Sequence, residues 1–292
     1  MISYCIACYR PKYSRMLIDD LIRKTTAPYE ILVWLNVDDP SFEKFLHARI
    51  AGGVPLRIVG ATPENIGMRA YQQLFTQARY QMITQIDDDV IAVSKGIAEQ
   101  AREIFQKYPR VKQLVADVWQ DEYTNGARPA LSEYTCYSQE DGLFDGPVDG
   151  WFSVFDRSVL PEALSYYSPL GRLCRQIRAI LRGNLNHPGS SYFSLGGRLR
   201  RKIRARGELG LLCTKLKVFH VVGPAYASYF EMLDFEIEKY KRLGRSDLVH
   251  SLTDAKSKLP SEVDLKNRVE GILEHLAYWP QETGRNEEQA NA

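Results

Sequence analysis

The sequence lacks long apolar runs and a large net charge, two features that would assign it to a class at once. Its 292 residues contain no run of roughly 18 consecutive apolar positions, the length that a membrane-spanning helix needs. Its first residues lack the basic flank and cleavage site of a secretory signal. The formal net charge of +2 at pH 7 identifies no partner. We therefore expect a cytoplasmic protein.

Cysteine is scarce, and its placement excludes a disulfide framework. The five cysteines lie at positions 5, 8, 136, 174 and 213, an odd number without regular spacing, which indicates reduced thiols. Cys5 and Cys8 form a C-x-x-C pair within an apolar run that predicts a buried strand. Residues three apart on a strand point to opposite faces, so this spacing disfavours a shared metal or a redox pair.

The sequence does contain the alternation of strands and helices that is typical of an α/β protein. Hydrophobic residues make up 45% and charged residues 25%, as in an ordinary globular protein. Strand patterns cover 2–8, 30–36, 56–60, 81–86, 111–118, 151–155 and 211–219. Helical patterns cover an apolar stripe at 17–22, then 65–78 and 94–107. This order predicts a mostly parallel sheet with helices on its faces.

Three consecutive carboxylates, Asp87, Asp88 and Asp89, directly follow the strand pattern at 81–86. Like charges this close raise one another's pKa, and a bound cation removes that cost. Mg²⁺ and Mn²⁺ prefer oxygen ligands and often share them with substrate phosphates, where they stabilise a departing diphosphate. A solvated acidic turn before the next helix is the alternative, and short acidic motifs alone do not exclude it.

Four motifs in order resemble the glycosyltransferases of GT-A fold, above all the family 2 type. They are IACYRP at 6–11, EILVWLNVDD at 30–39, NIG at 65–67 and IDDD at 86–89. The resemblance covers residues 1–120 well and 145–225 loosely. It implies a GT-A fold, a Mn²⁺ or Mg²⁺ cofactor, a nucleotide-sugar donor with a UDP-sugar favoured, and hexosyltransferase activity.

The resemblance also implies site residues. The expected metal ligands are Asp87, Asp89 and His220, although a lone histidine is as often structural. The expected donor contacts are Cys8, Tyr9, Arg10, Asn36, Asp38, Asn65, Gly67, Arg69, Asp87 and Asp88. Asn65 has an equally good interpretation as an ordinary helix N-cap.

The acidic pair that supplies the general base in this family is missing. It is expected about a dozen residues before a glycine resembling Gly207, but the interval 165–207 contains no Asp or Glu. Asp149 is the best substitute, and Asp145 and Glu208 are weaker candidates. Because an inverting displacement needs a base at the acceptor hydroxyl, inversion and retention both remain open.

A basic repeat is the most unusual part of the sequence. Residues 165–179 and 191–205 match at 10 of 15 positions, and 165–207 contains ten Arg or Lys. A basic amphipathic helix pair could lie on an anionic membrane surface and reach a lipid-linked acceptor. A solvated surface hairpin is an equally good interpretation, and binding of a polyanion such as nucleic acid is the least favoured.

The sequence therefore predicts a metal-dependent glycosyltransferase that acts on a glycan or lipid-linked acceptor, cytoplasmic and peripheral at the inner face of the membrane. We expect a GT-A domain at 1–225 with the basic insert at 165–207, a helical extension at 226–280 and a disordered tail at 281–292. A nucleotidyltransferase that makes nucleotide sugars is disfavoured, since 9–12 lacks a glycine-rich loop. A non-catalytic protein that binds nucleotide sugars or membranes is favoured only by the missing acidic pair.

Overall fold

A computed structural model describes residues 1–124, 127–148, 150–165, 177, 196–242 and 244–278. These residues form one sheet of ten strands with helices on both faces. The strands are β1 (Ile2–Cys8), β2 (Tyr29–Leu35), β3 (Leu56–Ala61), β4 (Met82–Ile86), β5 (Val90–Val93), β6 (Val111–Val118), β7 (Thr135–Ser138), β8 (Leu143–Asp145), β9 (Phe152–Asp156) and β10 (Leu209–His220). The helices are α1 (Pro11–Lys24), α2 (Pro40–Ala51), α3 (Met68–Gln77), α4 (Ile97–Lys107), α5 (Leu160–Ser165), α6 (Gly196–Arg204), α7 (Pro224–Tyr229), α8 (Leu233–Arg242), α9 (Ser246–Lys256) and α10 (Glu262–Tyr278).

The sheet brings the carboxyl ends of six strands to one edge. Its main order is β3-β2-β1-β4-β9-β6-β10-β8-β7, and β5 pairs with β10 off this path. The half from β3 to β4 is parallel throughout. Strand β9 runs antiparallel to both β4 and β6, so β6 and its parallel partner β10 run in the direction of β4. The predicted α/β class is confirmed, with a sheet that is mostly parallel on one side.

Cys5 and Cys8 lie on opposite faces of β1, as strand geometry predicts. Cys5 packs in the core cluster that contains Leu74 of α3, whereas Cys8 packs in the cluster that contains Leu17 of α1. Both thiols are fully buried, and burial raises the pKa of each well above its usual range. The pair therefore belongs to two separate cores.

Gly60 of β3 lies directly against the ring of Trp34 on β2, and its substitution is a test of this packing. A Cβ atom at position 60 would lie 2.4 Å from a ring carbon of Trp34. We expect Gly60→Ala to lower the free energy of unfolding by about 1–3 kcal/mol in chemical denaturation, because overpacking forces side chains from their preferred positions. Gly271→Ala in α10 is the control, since nothing lies within 4 Å of its Cβ position and alanine favours helices by ~1 kcal/mol. Equal destabilisation at the two positions would contradict this packing.

Helix α3 begins three residues later than the helical pattern predicts. Gly67 has φ +55°, a backbone conformation that favours glycine and cannot continue a helix. Asn65 Oδ1 accepts a hydrogen bond from Gly67 N at 2.8 Å. Asn65 and Gly67 therefore form a turn that precedes the helix.

Four helices follow β10 among the described residues, with breaks near Gly244 and Pro260. Helix α10 packs its apolar face in one cluster with Ile91 of β5 and Phe219 of β10. The residues of this face are Leu265, Val269, Ile272 and Leu276. The extension is therefore joined to the sheet through a shared core. None of the described helices has the length and apolar character to cross a membrane.

The basic repeat is described only at Ser165, at Ile177 and from residue 196 onward. Within α6, Leu199 and Ile203 are fully buried in the core cluster of the α3 face. Three arginines between 196 and 207 pair with carboxylates of the chain itself: Arg200 and Arg204 with Asp145, and Arg206 with Glu162 and Glu208. The apolar face of α6 is thus used internally, which favours the surface-hairpin interpretation for 196–207. Most of the first copy and the predicted tail at 281–292 lie outside the described residues.

Candidate functional site

The acidic triplet lies where the chain leaves β4 and crosses to β5. Asp87 N donates a hydrogen bond to Trp151 O at 2.9 Å, beside the start of β9. Asp89 O accepts a hydrogen bond from Val221 N at 2.8 Å, just beyond the end of β10. These two backbone bonds hold the triplet at the carboxyl edge of the sheet, where open α/β sheets bind their ligands.

Asp87, Asp89 and His220 form one cluster. One potential ligand atom from each residue lies within 4.8 Å of the other two. His220 Nε2 lies 2.8 Å from Asp89 Oδ1, and His220 Nδ1 is buried without a hydrogen-bond partner. Two carboxylates and an imidazole whose Nε2 lies against one of them fit a divalent ion such as Mn²⁺ or Mg²⁺ that shares further positions with phosphate oxygens.

The electrostatics of this cluster favour a cation. Burial raises the pKa of Asp89, but Arg10 and His220 outweigh burial and hold that pKa below its usual range. Burial lowers the pKa of His220, but Asp89 and then Asp87 reverse this and raise it. Asp87 and Asp89 therefore act on the imidazole as negative charges. A metal ion beside the imidazole would be attracted by the same two charges.

Asp88 has a different role from its two neighbours. Its Oδ2 accepts hydrogen bonds from Tyr9 N at 2.6 Å and from Arg10 N at 2.5 Å. Its Oδ1 accepts a hydrogen bond from Arg10 Nη1 at 2.5 Å. Asp88 is 5% exposed, and its hydrogen bonds hold the turn after β1 in place. The expected direct contact of Asp88 with the donor is replaced by this support of the Tyr9 and Arg10 backbone.

Arg10 connects the triplet to the C-terminal helices. Its guanidinium pairs with Asp88, with Asp89 Oδ2 at 3.3 Å and with Glu236 Oε1 of α8 at 2.5 Å. Tyr9 packs against Phe235, the neighbour of Glu236, with ring centroids 5.3 Å apart. Two residues expected to touch the donor are therefore contacted from α8, while Cys8 is fully buried in the core.

The remaining expected donor contacts lie in the turns after β2 and β3. Asn36 is 1% exposed, and its Oδ1 accepts a hydrogen bond from Ile66 N at 3.2 Å, which ties the two turns together. Asn65 and Gly67 form the turn described above. Asp38 and Arg69 are exposed. The structure thus brings Asn36, Asn65 and Gly67 together and leaves two charged side chains at the surface near them.

Tyr71 is a site residue that the sequence analysis did not identify. The available signal was its place in the first turn of the helix that follows Asn65 and Gly67. Tyr71 lies in the first turn of α3, and its hydroxyl donates a 2.5 Å hydrogen bond to Ile86 O, the last residue of β4. This contact brings the N-terminus of α3, with its positive dipole, beside the acidic triplet. The N–H groups of Arg69 and Ala70 in its first turn already donate to Ile66 O and Gly67 O, so the free N–H groups expected near Gly67 are not found at these two residues. Burial, with Asp87 and Asp88 adding to it, raises the pKa of Tyr71 well above its usual range, so its hydroxyl stays protonated as the donor.

The candidates for the general base are separated by the fold. Asp149 lies outside the described residues. Asp145 binds Arg200 and Arg204. Glu208 precedes β10 and pairs with Arg206, at the opposite end of the sheet from His220. Since β10 follows β6 for eight residues at about 3.3 Å each, Glu208 lies too far from the cluster to act as the general base. Trp151 is buried and donates to Ala116 O at 2.6 Å, which is a core role.

Comparisons with known proteins give structural matches only. No protein-family model matches the chain, and no curated protein matches it at the threshold applied. The mannosyltransferase PcManGT from Pyrobaculum calidifontis, in complex with GDP-Man and Mn²⁺, matches 95% of this chain and 81% of its own with 13% identity and a TM-score of 0.51. GalNAc-T7 with UDP, GalNAc and Mn²⁺ matches 75% of this chain and 43% of its own with 12% identity and a TM-score of 0.50.

A third match is more partial. S. aureus TarS 1–349 matches 55% of this chain with 13% identity and a TM-score of 0.42. The matched region spans only 48% of that TarS chain, so this chain corresponds to about half the length of the TarS structure. Identities this low establish the fold and leave activity to the site. The sheet order, the position of the acidic triplet and the two fuller matches together show that this protein has the GT-A fold of the nucleotide-sugar glycosyltransferases.

Proposed function

We propose that this protein is a metal-dependent glycosyltransferase that moves a sugar from a nucleotide-diphosphate sugar to an acceptor hydroxyl. The observation that carries the proposal is the cluster of Asp87, Asp89 and His220 at the carboxyl edge of a GT-A sheet. Two solved proteins of this fold hold Mn²⁺ together with GDP-Man or with UDP and GalNAc. We infer a Mn²⁺ or Mg²⁺ cofactor and take a UDP-sugar as the first donor to test.

Different residues of the chain would bind the metal ion and the nucleotide-sugar donor. Asp87, Asp89 and His220 would hold the ion, which when bound supplies Lewis-acid stabilisation of the diphosphate leaving group. The N-terminus of α3, held beside the triplet by Tyr71, would place the positive end of its dipole near the negative charge of the diphosphate. The turns joined by Asn36 form the wall at the ends of β2 and β3, where we place the nucleoside.

Few described residues bear on the binding of the acceptor. We keep Asp149 as the candidate general base, because it lies between Val148 and Gly150 in the segment whose Trp151 carbonyl accepts the bond from Asp87 N. We propose hexosyl transfer to a glycan or lipid-linked acceptor. The peripheral membrane location stays a proposal that depends on the part of 165–207 outside the described residues.

A donor panel tests this function. UDP-, GDP-, dTDP- and CMP-sugars are incubated with the full chain and Mn²⁺ or EDTA, and release of the nucleotide is measured. We expect metal-dependent release from one donor class, unchanged in Glu238→Gln, which alters an exposed residue of α8. Asp149→Asn should retain donor binding and lose transfer. Absence of donor binding in every metal would overturn the proposal, and pyrophosphate release from a nucleoside triphosphate with a sugar phosphate would indicate the nucleotidyltransferase alternative.

A further inference from the structure

Helix α8 carries a carboxylate, Glu236, that contacts the acidic triplet through Arg10, although nothing in the proposed chemistry uses it. Glu236 has a side chain only 14% exposed, and its Oε1 lies 2.5 Å from Arg10 Nε. Its other oxygen, Oε2, pairs with Lys239 one turn along the same helix. Glu236 is therefore held between two cations, and one of these directly contacts two residues of the triplet.

Arg10 contacts Asp89 through the oxygen that does not face His220. Asp89 Oδ1 lies 2.8 Å from His220 Nε2, whereas Asp89 Oδ2 lies 3.3 Å from Arg10 Nη2. An ion that takes Asp89 Oδ1 would leave the contact with Arg10 in place. Arg10 thus orients Asp89 for the ion, but its positive charge also opposes an ion at this position.

Glu236 offsets that opposition. Asp87, Asp88, Asp89 and Glu236 with the two cations Arg10 and Lys239 leave a formal charge of −2, which matches a divalent ion when His220 is neutral. Without Glu236 the formal charge of this group would be −1. Lys239 acts in the opposite direction, since its ammonium group pairs with Glu236 Oε2 and offsets part of the negative charge of that carboxylate.

We propose that helix α8 sets the metal affinity of the Asp87, Asp89 and His220 cluster through Glu236 and Lys239, which act through Arg10 as positioning residues. The inference rests on the proposed metal site and adds to it a pair of residues on the helical extension. Its distinctive consequence is that removal of the two charges has opposite effects. A role in holding the fold alone would weaken metal binding in both variants.

Titration of the full chain with Mn²⁺, in the absence of donor and followed by electron paramagnetic resonance, tests the inference. Glu236→Gln is expected to raise the Kd for Mn²⁺ about tenfold, the effect of a unit charge on a divalent ion roughly 10 Å away at an effective dielectric constant near 50, between the values for a protein surface and for water. Lys239→Gln is expected to lower that Kd about threefold, because Lys239 is farther from the triplet than Arg10. Glu238→Gln is the matched control on the same helix: its carboxylate pairs with Lys241 and is 55% exposed, so the Kd should equal that of the wild type.

The outcomes separate this inference from the proposed function. If the wild type binds Mn²⁺ and neither Glu236→Gln nor Lys239→Gln changes the Kd, the inference is wrong and the metal site stands. If both variants weaken binding, α8 acts only by supporting the fold, and the inference is equally wrong. If the wild type binds no divalent ion, the metal site and the inference fail together. Thermal unfolding of each variant shows whether the chain is folded, and Lys239→Gln keeps the test available if Glu236→Gln does not fold.

Discussion

Asp89→Asn is expected to reduce sugar transfer by at least about 100-fold and to remove measurable Mn²⁺ binding, because it deletes a charged ligand of the ion. Asparagine keeps the size of the side chain and one carbonyl oxygen. Arg10 retains Asp88 and Glu236 as partners, so the protein should remain folded. The measurements are nucleotide release with Mn²⁺ present and Mn²⁺ titration of the same preparation.

The control for this variant is an exposed carboxylate of comparable chemistry. Asp247 is 61% exposed and pairs with Arg245, and Asp247→Asn should leave turnover unchanged. A folded Asp89→Asn protein with near wild-type turnover would show that this carboxylate does not hold an ion that the reaction needs.

Asp88→Ala is expected to act mainly on stability, with a loss of about 3 kcal/mol in the free energy of unfolding. The substitution removes the acceptor of the Tyr9 and Arg10 backbone N–H groups and one partner of a buried guanidinium. Groups buried without partners lose their hydration without compensation. Equilibrium denaturation in urea measures the loss.

Asp88→Asn separates the two parts of this effect. Its amide oxygen still accepts from the backbone, but the charge that pairs with Arg10 is gone, so the loss should lie between those of wild type and Asp88→Ala. The loss for Asp89→Asn should be smaller than for Asp88→Ala. Equal stability of wild type and Asp88→Ala would contradict the conclusion that the hydrogen bonds of Asp88 hold the turn after β1 in place.

Much of the candidate site follows from sequence because its parts lie at strand ends. Parallel strands bring their carboxyl ends to one edge, so an acidic triplet after one apolar run and His220 at the end of another were expected to meet. The buried runs at 2–8 and 111–118 coincide with β1 and β6. Local pattern and global topology agree at these positions, which makes them predictable.

Other features depend on contacts that no local pattern encodes. Glu236 lies 226 residues from Arg10 in sequence, and its neighbours on α8 follow the ordinary alternation of charges on a surface helix. Nothing in the three carboxylates alone shows that Asp88 turns towards the β1 turn while Asp87 and Asp89 face His220. Strand β5 is only four residues long. An apolar run this short, directly before helix α4, does not distinguish a strand from a loop.

Two helices of the extension contact elements of the candidate site. Phe235 and Glu236 of α8 contact Tyr9 and Arg10, and α10 shares a core with β5 and β10. The two helices therefore contact the elements that hold the triplet: α8 contacts the turn after β1, and α10 packs on β5 and β10. Glu231, in the corner between α7 and α8, has φ +57° and pairs with Lys12, so this corner keeps an uncommon backbone conformation beside α1.

Mn²⁺ titration of the wild type with and without UDP tests the central claim most directly. If Asp87, Asp89 and His220 hold an ion that also binds the diphosphate, each ligand must tighten the other by the same factor. We predict saturable binding of one Mn²⁺ per chain, with a Kd that falls at least about tenfold when UDP is present, and loss of both effects in Asp89→Asn. Mn²⁺ binding that UDP does not change, or UDP binding that is equal in Mn²⁺ and EDTA, would contradict the claim.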